Sequence, residues 1–235
     1  MRPDRSMRVE RPEIPIAGAL GLVPDIKTFE MRLDGWWSDQ LLATLVAALD
    51  HYDGGTAKHS ERVAGLAVEL ALEVGYELDS PELAEIRRGA LMHDIGKLGV
   101  SLEILRKAGP LDDAEWAEMY LHPELGYSMF KDIPPLMGTA EMILASHERW
   151  DGGGYPSGLT GEESPLGARI FALADAWDAM TSHRPYRDAL AFDVVVEEVR
   201  GNAGTQFDPQ AVVALERRLR SPESLWLRGH DQEAA

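Results

Sequence analysis

The 235-residue chain has no cysteine, so its chemistry rests on seven histidines and the carboxylates near them. His59 lies in Lys58-His59-Ser60-Glu61-Arg62, His93 stands directly before Asp94 in Met92-His93-Asp94-Ile95-Gly96-Lys97, and His122 opens His122-Pro123-Glu124-Leu125-Gly126. His147 precedes Glu148-Arg149-Trp150-Asp151-Gly152-Gly153-Gly154-Tyr155-Pro156, and Asp175 sits in Ala174-Asp175-Ala176-Trp177-Asp178. A lone histidine on a helix is usually a surface or satisfied core residue; what raises these above that reading is their company. The His93-Asp94 doublet follows the apolar helical run Ile86, Ala90, Leu91 and precedes Gly96, so it falls near a helix end. Helical neighbours point ~100° apart, so both side chains reach one point only off the flank or end of that helix. A metal ion held jointly with other helices fits this requirement. Imidazole with carboxylate suits iron, manganese, zinc or nickel rather than calcium. Structural zinc is usually closed by cysteine, so a cysteine-free set favours an open, catalytic site. The same absence excludes disulfide frameworks, iron–sulfur clusters and a cysteine nucleophile.

The elements that must position these residues read as helices. Residues 1–35, with Pro3, Pro12, Pro15 and Pro24, form an irregular arm or the remnant of a linker. From about Ser38, Leu41, Leu42, Leu45, Val46 and Leu49 share one helical face, as do Val63, Leu66, Ala67, Leu70 and Val74. Ser80 with Pro81 starts a helix, and Asp112 with Glu115 is a capping-box pair ahead of one expected to run to about Lys131. Pro134-Pro135 breaks the chain before a helix expected to end near Trp150. Asp208 caps a last helix from Pro209, with Phe207 and Val212 as its staple. No stretch alternates as a strand would. The spacing predicts an all-α fold of seven to nine helices over 36–220, and a tail over 221–235 with Trp226 as an anchor. Trp36, Trp37, Trp116, Trp150 and Trp177 are expected in the core, with stacking on a base as the alternative for Trp150; His51, His183 and His230 are expected at the surface.

Composition narrows the function. The formal net charge is −17 and the hydrophobic share 45%, which gives a folded core and argues against broad nucleic-acid binding. The basic residues Arg2, Arg5, Arg8 and Arg11 before Ile14–Val23 imitate a secretion signal, but Asp4, Glu10, Glu13, Pro15, Gly18 and Gly21 interrupt it. No run approaches the ~20 apolar residues of a spanning helix. A soluble, cytoplasmic protein is expected, with no membrane partner.

These motifs, in this order over roughly 38–215, resemble the HD-GYP family, the branch of HD-superfamily metal-dependent phosphohydrolases that degrades cyclic di-GMP. The resemblance rests on His59 with Ser60 and Arg62, His93 through Lys97, His122-Pro123 with Gly126, His147 through Pro156, and Asp175 through Arg187. It implies a multi-helix bundle with the metal site between helices. It also implies two divalent transition metal ions, iron or manganese, held by His59, His93, Asp94, His122, His147 and Asp175, with Asp94 as the bridge. Lys97, Arg184 and Arg187 match phosphate-contacting positions, and the Gly-Tyr-Pro segment matches a loop associated with protein contacts or with stabilising the site. A GGDEF-type cyclase is the implied protein partner. The expected reaction is attack by a metal-activated hydroxide on cyclic di-GMP, giving linear pGpG and/or GMP.

Asp178, three residues after Asp175 and on the same helix face, is expected to orient a ligand or relay a proton, or else to pair with Arg184 or Arg187. Lys97 either reaches a phosphate from the His93 side or caps its helix end. Arg62 reads equally as structural or functional. Two positions depart from the family pattern. Ser146 stands where many members carry a further histidine ligand, which predicts a weaker second site. Gly55 stands where some carry a glutamate tied to a third metal, so at most two metals are expected. Ser146 therefore opens an alternative, a weakened domain serving as a dinucleotide sensor or protein-interaction module. A third reading keeps the fold and changes the substrate to another cyclic dinucleotide or nucleotide. In either enzyme reading, a positive, metal-dependent pocket inside an acidic shell admits a small dianion and disfavours polynucleotides.

Overall fold

The computed structural model describes residues 36–53, 57–183 and 188–221. The arm over 1–35, the tail beyond Ser221 with Trp226 and His230, and Gly55, Arg184 and Arg187 lie outside the described residues, as do the side chains of Trp36 and Trp37.

Among the described residues the chain forms ten α-helices: α1 (Trp36–Asp53), α2 (Ala57–Val74), α3 (Pro81–Met92), α4 (Leu102–Leu105), α5 (Asp113–Met119), α6 (His122–Phe130), α7 (Met137–Leu144), α8 (Leu166–Thr181), α9 (Phe192–Gly201) and α10 (Pro209–Arg220). Short 3₁₀ turns cover Ile95–Gly99, Pro134–Leu136 and Gly161–Glu163. Pairing in the extended conformation is limited there to two isolated bridges, Asp151–Thr160 and Ala203–Phe207, so the all-α expectation holds. Several helices start for local reasons. The Ser80 hydroxyl accepts from the Leu83 N–H at 3.2 Å with Pro81 in the first turn, and Asp112 with Glu115 completes both halves of the capping box. Asp208 accepts from the Gln210 N–H at 2.7 Å, and Phe207 and Val212 are both buried beside it.

Two helices are shorter than their patterns suggest, each for a reason at one residue. The segment expected to be continuous from Asp112 to Lys131 breaks between α5 and α6. Pro123 has no N–H to give the Met119 carbonyl four residues back, and its ring crowds that carbonyl. The helix after Pro135 stops at Leu144 rather than near Trp150, where the backbone N–H and the hydroxyl of Ser146 both close on the Ile143 carbonyl (3.3 and 2.8 Å). The break at Pro123, with the four-residue α4, brings the total among the described residues above seven to nine.

Two hydrophobic cores share α3. One packs Val63, Leu66 and Leu70 of α2 against Ile86 of α3, Phe171 and Trp177 of α8 and Leu215 of α10. The other packs Leu42, Val46 and Leu49 of α1 against Met92, Ile95, Phe130 and Ile143. Leu41 leaves the expected face and is 54% exposed, because the stripe that meets the core is 42/46/49. Trp177 is buried as expected. Trp116 is not a core residue but 43% exposed, and Trp150 is half-buried under the Arg169 guanidinium, 5.5 Å from its ring centre. His51 and His183 are exposed.

Candidate metal centre

The expected ligands meet at the seam between the two cores. His59 comes from α2, the His93-Asp94 pair from the end of α3, His122 from the first turn of α6, His147 from just beyond α7, and Asp175 from α8. Gly96 allows the close approach of the 95–99 turn to α6: a Cβ there would stand 1.8 Å from the His122 carbonyl oxygen and 2.6 Å from the Gly126 nitrogen. That contact brings Asp94 beside His122.

Helix ends orient the imidazoles. The last carbonyls of a helix lack intrahelical partners. Nδ1 of His93 donates to one of them, Ala90 O, at 2.8 Å, and Nδ1 of His122 donates at 2.8 Å to Met119 O, the carbonyl Pro123 leaves without a donor. A carbonyl only accepts, so each Nδ1 carries a proton and each ring turns its Nε2 inward. His-Pro at 122–123 is thus a readable signal for an oriented ligand. His59 is held by carboxylates, with Nδ1 2.7 Å from Asp178 Oδ2 and Nε2 3.1 Å from Asp175 Oδ1.

Ligand atoms of His59, His93 and Asp175 lie within 4.8 Å of one another. On the other side, Nε2 of His122 is 2.9 Å from Nε2 of His147. Asp94 stands between the two groups, Oδ2 3.3 Å from His93 Nε2 and Oδ1 3.9 Å from His122 Nε2. This set of imidazole nitrogens and carboxylate oxygens, without thiolate, fits divalent transition metals. His59, His93 and Asp175 form a group that could hold one ion, and Asp94 lies between that group and the His122–His147 pair.

The charges divide in the same way. Burial pushes His59 down, but the hydrogen bonds to Asp175 and Asp178 outweigh it and raise the ring to about 9. Burial also opposes the charged form of His93, which Asp94 nevertheless raises. Burial would lift the Asp94 carboxyl; His93 and Lys97 overcome it and hold it well below the usual carboxylate range. His122 is lowered by burial, and His147 falls to about 4 through burial and the nearby His122. Carboxylates thus favour the protonated rings of His59 and His93 on one side, and burial favours the neutral rings of His122 and His147 on the other.

Around these stand residues whose roles the motif alone left open. Arg62 closes on Asp178 at 2.5 and 2.9 Å and on the Ser182 hydroxyl at 3.2 Å, so within the described residues Asp178 pairs with Arg62 and His59. The Lys97 ammonium meets Asp94 Oδ2 at 2.8 Å. The Ser146 hydroxyl is turned to the Ile143 carbonyl, away from any ligand role. Sequence reasoning missed Glu148. This buried carboxylate accepts from the N–H groups of Ser157, Gly158 and Leu159 at 2.7, 3.1 and 3.0 Å and so ties down the Gly-Tyr-Pro loop. An acid directly after a candidate ligand and ahead of a glycine run was its available signal. The Tyr155 ring stacks on His147, 4.9 Å between centres at 9°, and Gly154 leaves no room for a Cβ against the His147 carbonyl.

The family model described as HD domain matches residues 43–211. The chain belongs to the HD domain family. It is 37% identical over 189 residues to 3'3'-cGAMP-specific phosphodiesterase 3 of Vibrio cholerae, an overlap covering 80% of this chain and 41% of that protein. It is 38% identical over 180 residues to the cyclic di-GMP phosphodiesterase response regulator RpfG of Xanthomonas campestris pv. campestris, covering 76% and 47%. The chain thus spans less than half the length of these two relatives. A crystal structure of a cyclic GMP-AMP specific phosphodiesterase of V. cholerae shares the fold, with a TM-score of 0.62 at 20% identity over 81% of this chain and 51% of that one. Among the described residues no helix is long and apolar enough to cross a membrane.

Proposed function

We propose that the chain is a metal-dependent phosphodiesterase that opens a cyclic dinucleotide, with cyclic di-GMP as substrate and linear pGpG and/or GMP as product. The observation that carries this reading is the convergence of His59, His93, Asp94, His122, His147 and Asp175, from five parts of the chain, with Nδ1 of His59, His93 and His122 already engaged. Two divalent ions, iron or manganese, are its cofactors. When bound, they lower the pKa of the attacking water and neutralise charge on the phosphate oxygens. In hydrolysis the water oxygen bonds to phosphorus, the bond to the ribose 3′ oxygen breaks, and a proton ends on that oxygen. Lys97, anchored against Asp94, supplies a cation to a phosphate oxygen, and Arg184 and Arg187 are the further phosphate contacts of this reading. Asp178 works through His59 and not on substrate: it holds the ring with one oxygen while Arg62 fixes the carboxylate. It is a positioning residue.

The second reading, a domain that binds a cyclic dinucleotide or a protein such as a GGDEF-type cyclase without cutting, is favoured by one observation. Ser146 gives its hydroxyl to the Ile143 carbonyl, so the second metal group has fewer nitrogen donors than the family pattern. The deciding experiment measures metal content of the purified chain and chromatographs its products from cyclic di-GMP and from 3'3'-cGAMP with Mn²⁺ or Fe²⁺. Bound metal with linear product is expected. Binding without product in both metals would overturn the enzyme reading, and product from 3'3'-cGAMP alone would reassign the substrate.

A further inference from the structure

The short helix α5 has no buried side chain, yet it and its C-terminal residue carry two large aromatics, Trp116 and Tyr120. They lie four residues apart, hence on one face, and their rings stack at 5.4 Å and 29° while remaining 43% and 44% exposed. Neither fills a core. What they join is the site: Tyr120 meets Tyr155 at 4.5 Å between ring centres, and Tyr155 lies flat on the candidate ligand His147. A continuous row of rings thus runs from the metal centre to solvent, Tyr155 resting on the backbone that Glu148 ties down.

We propose that Trp116 and Tyr120 form a stacking shelf for one nucleobase of the substrate, an inference that rests on the cyclic-dinucleotide reading above. Exposed π-faces take a base without regard to its hydrogen-bonding edge, which suits a planar purine one sugar away from a phosphate at the metals. Charge selects the base over the phosphate as the occupant. Glu115 is paired with Lys107, and the remaining carboxylates of the helix, Asp113 and Glu118, repel a phosphate but not a neutral ring. The shelf therefore sets affinity for the dinucleotide, and the metal centre handles the phosphodiester.

The test titrates the full 235-residue chain with the bisphosphorothioate analogue of cyclic di-GMP, whose sulfurs slow hydrolysis. Tyr120→Ala and Trp116→Ala are each expected to raise Kd about ten-fold, within the range of single base–aromatic stacks. Tyr120→Phe keeps the ring and is expected to keep the affinity. Because α5 buries no side chain these variants should fold, and metal content equal to wild type confirms an intact centre. Unchanged Kd in both alanine variants, with wild-type binding intact, overturns the shelf and leaves the phosphodiesterase reading standing. Ring-dependent binding by a chain that cuts no cyclic dinucleotide supports the shelf and sinks only the activity. A wild-type chain that binds no analogue overturns the shelf outright.

Discussion

At the scale of single residues, one geometric device recurs. His93 and His122 each give Nδ1 to the carbonyl three residues back at a helix end, and Ser146 gives its hydroxyl to Ile143 in the same relation. A histidine at 146 can therefore put Nδ1 where the hydroxyl now goes and turn Nε2 inward. Ser146→His is expected to raise metal content toward two ions per chain, as read by elemental analysis. Ser146→Ala is expected to leave metal content at the wild-type value and to cost about 1 kcal/mol of stability, the usual worth of a buried hydrogen bond. Unaltered content in the histidine variant would show that the missing ligand is not what limits the second group. Asp178 is the other single-residue lever. In Asp178→Asn the Arg62 pair and the hold on His59 both weaken, and metal affinity should fall by about 10–100-fold, the usual cost of losing such an orienting partner. A chelator-competition titration that returned wild-type affinity would contradict the positioning role.

At the scale of elements, the site depends on how closely segments approach and on what ties the loops. The 95–99 turn lies against α6 only because residue 96 has no side chain. Gly96→Ala must push the two apart, at a cost of roughly 1–3 kcal/mol or more, and should separate Asp94 from His122. Urea denaturation reads the first effect and metal content the second; a variant with wild-type values in both would refute the contact. The Gly-rich loop has a weaker tie at its start, where Arg149 grips Asp151 at 3.0 and 2.8 Å and the Gly153 N–H donates to the same carboxylate at 2.9 Å. The Arg149 bonds, then the Gly153 bond, lower Asp151 from 3.8 to about 2. A depressed folded-state pKa stabilises above the unfolded value and loses that contribution as pH falls through the folded one. The clamp should be fully present above about pH 4 and vanish as pH approaches about 2. An NMR titration of the Asp151 carboxyl checks this, and Arg149→Ala should return its midpoint toward the ordinary value.

At the scale of the whole molecule, the seam joins two cores, so an ion held there couples them. Manganese at a hundred times its Kd should add about 2.7 kcal/mol to the stability of the chelator-treated chain. For a chain of this size that is a rise of ~5–11 °C in Tm. His93→Ala, which removes an inward nitrogen, should abolish the rise in a calorimetric scan. A wild-type chain whose Tm ignores both chelator and manganese would speak against the metal centre. The charge of −17 acts at this scale as well. It disfavours polynucleotides, and in the proposed phosphodiesterase Lys97 beside Asp94 would offer a small phosphodiester a cation.

The amino-acid sequence alone determined the residue types of the site and the helical character of what carries them. His-Asp before glycine marks a helix end by a local backbone rule, whereas the break at His122-Pro123 follows from an equally local rule that the expected continuous helix left out. The capping residues Ser80, Asp112 and Asp208 were legible for the same reason, because a cap is a contact over three residues. Tertiary structure decided the partners. Asp178 is 116 residues from Arg62, so no local pattern could bring that arginine to it. Trp116 reads as core by composition and became surface because α5 packs no side chain inward, a fact of how neighbouring segments meet. Ser146 shows the division most clearly. Its identity announced a missing ligand, but only the folded helix end showed its hydroxyl spent on Ile143, since a hydrogen bond is settled by where the backbone turns.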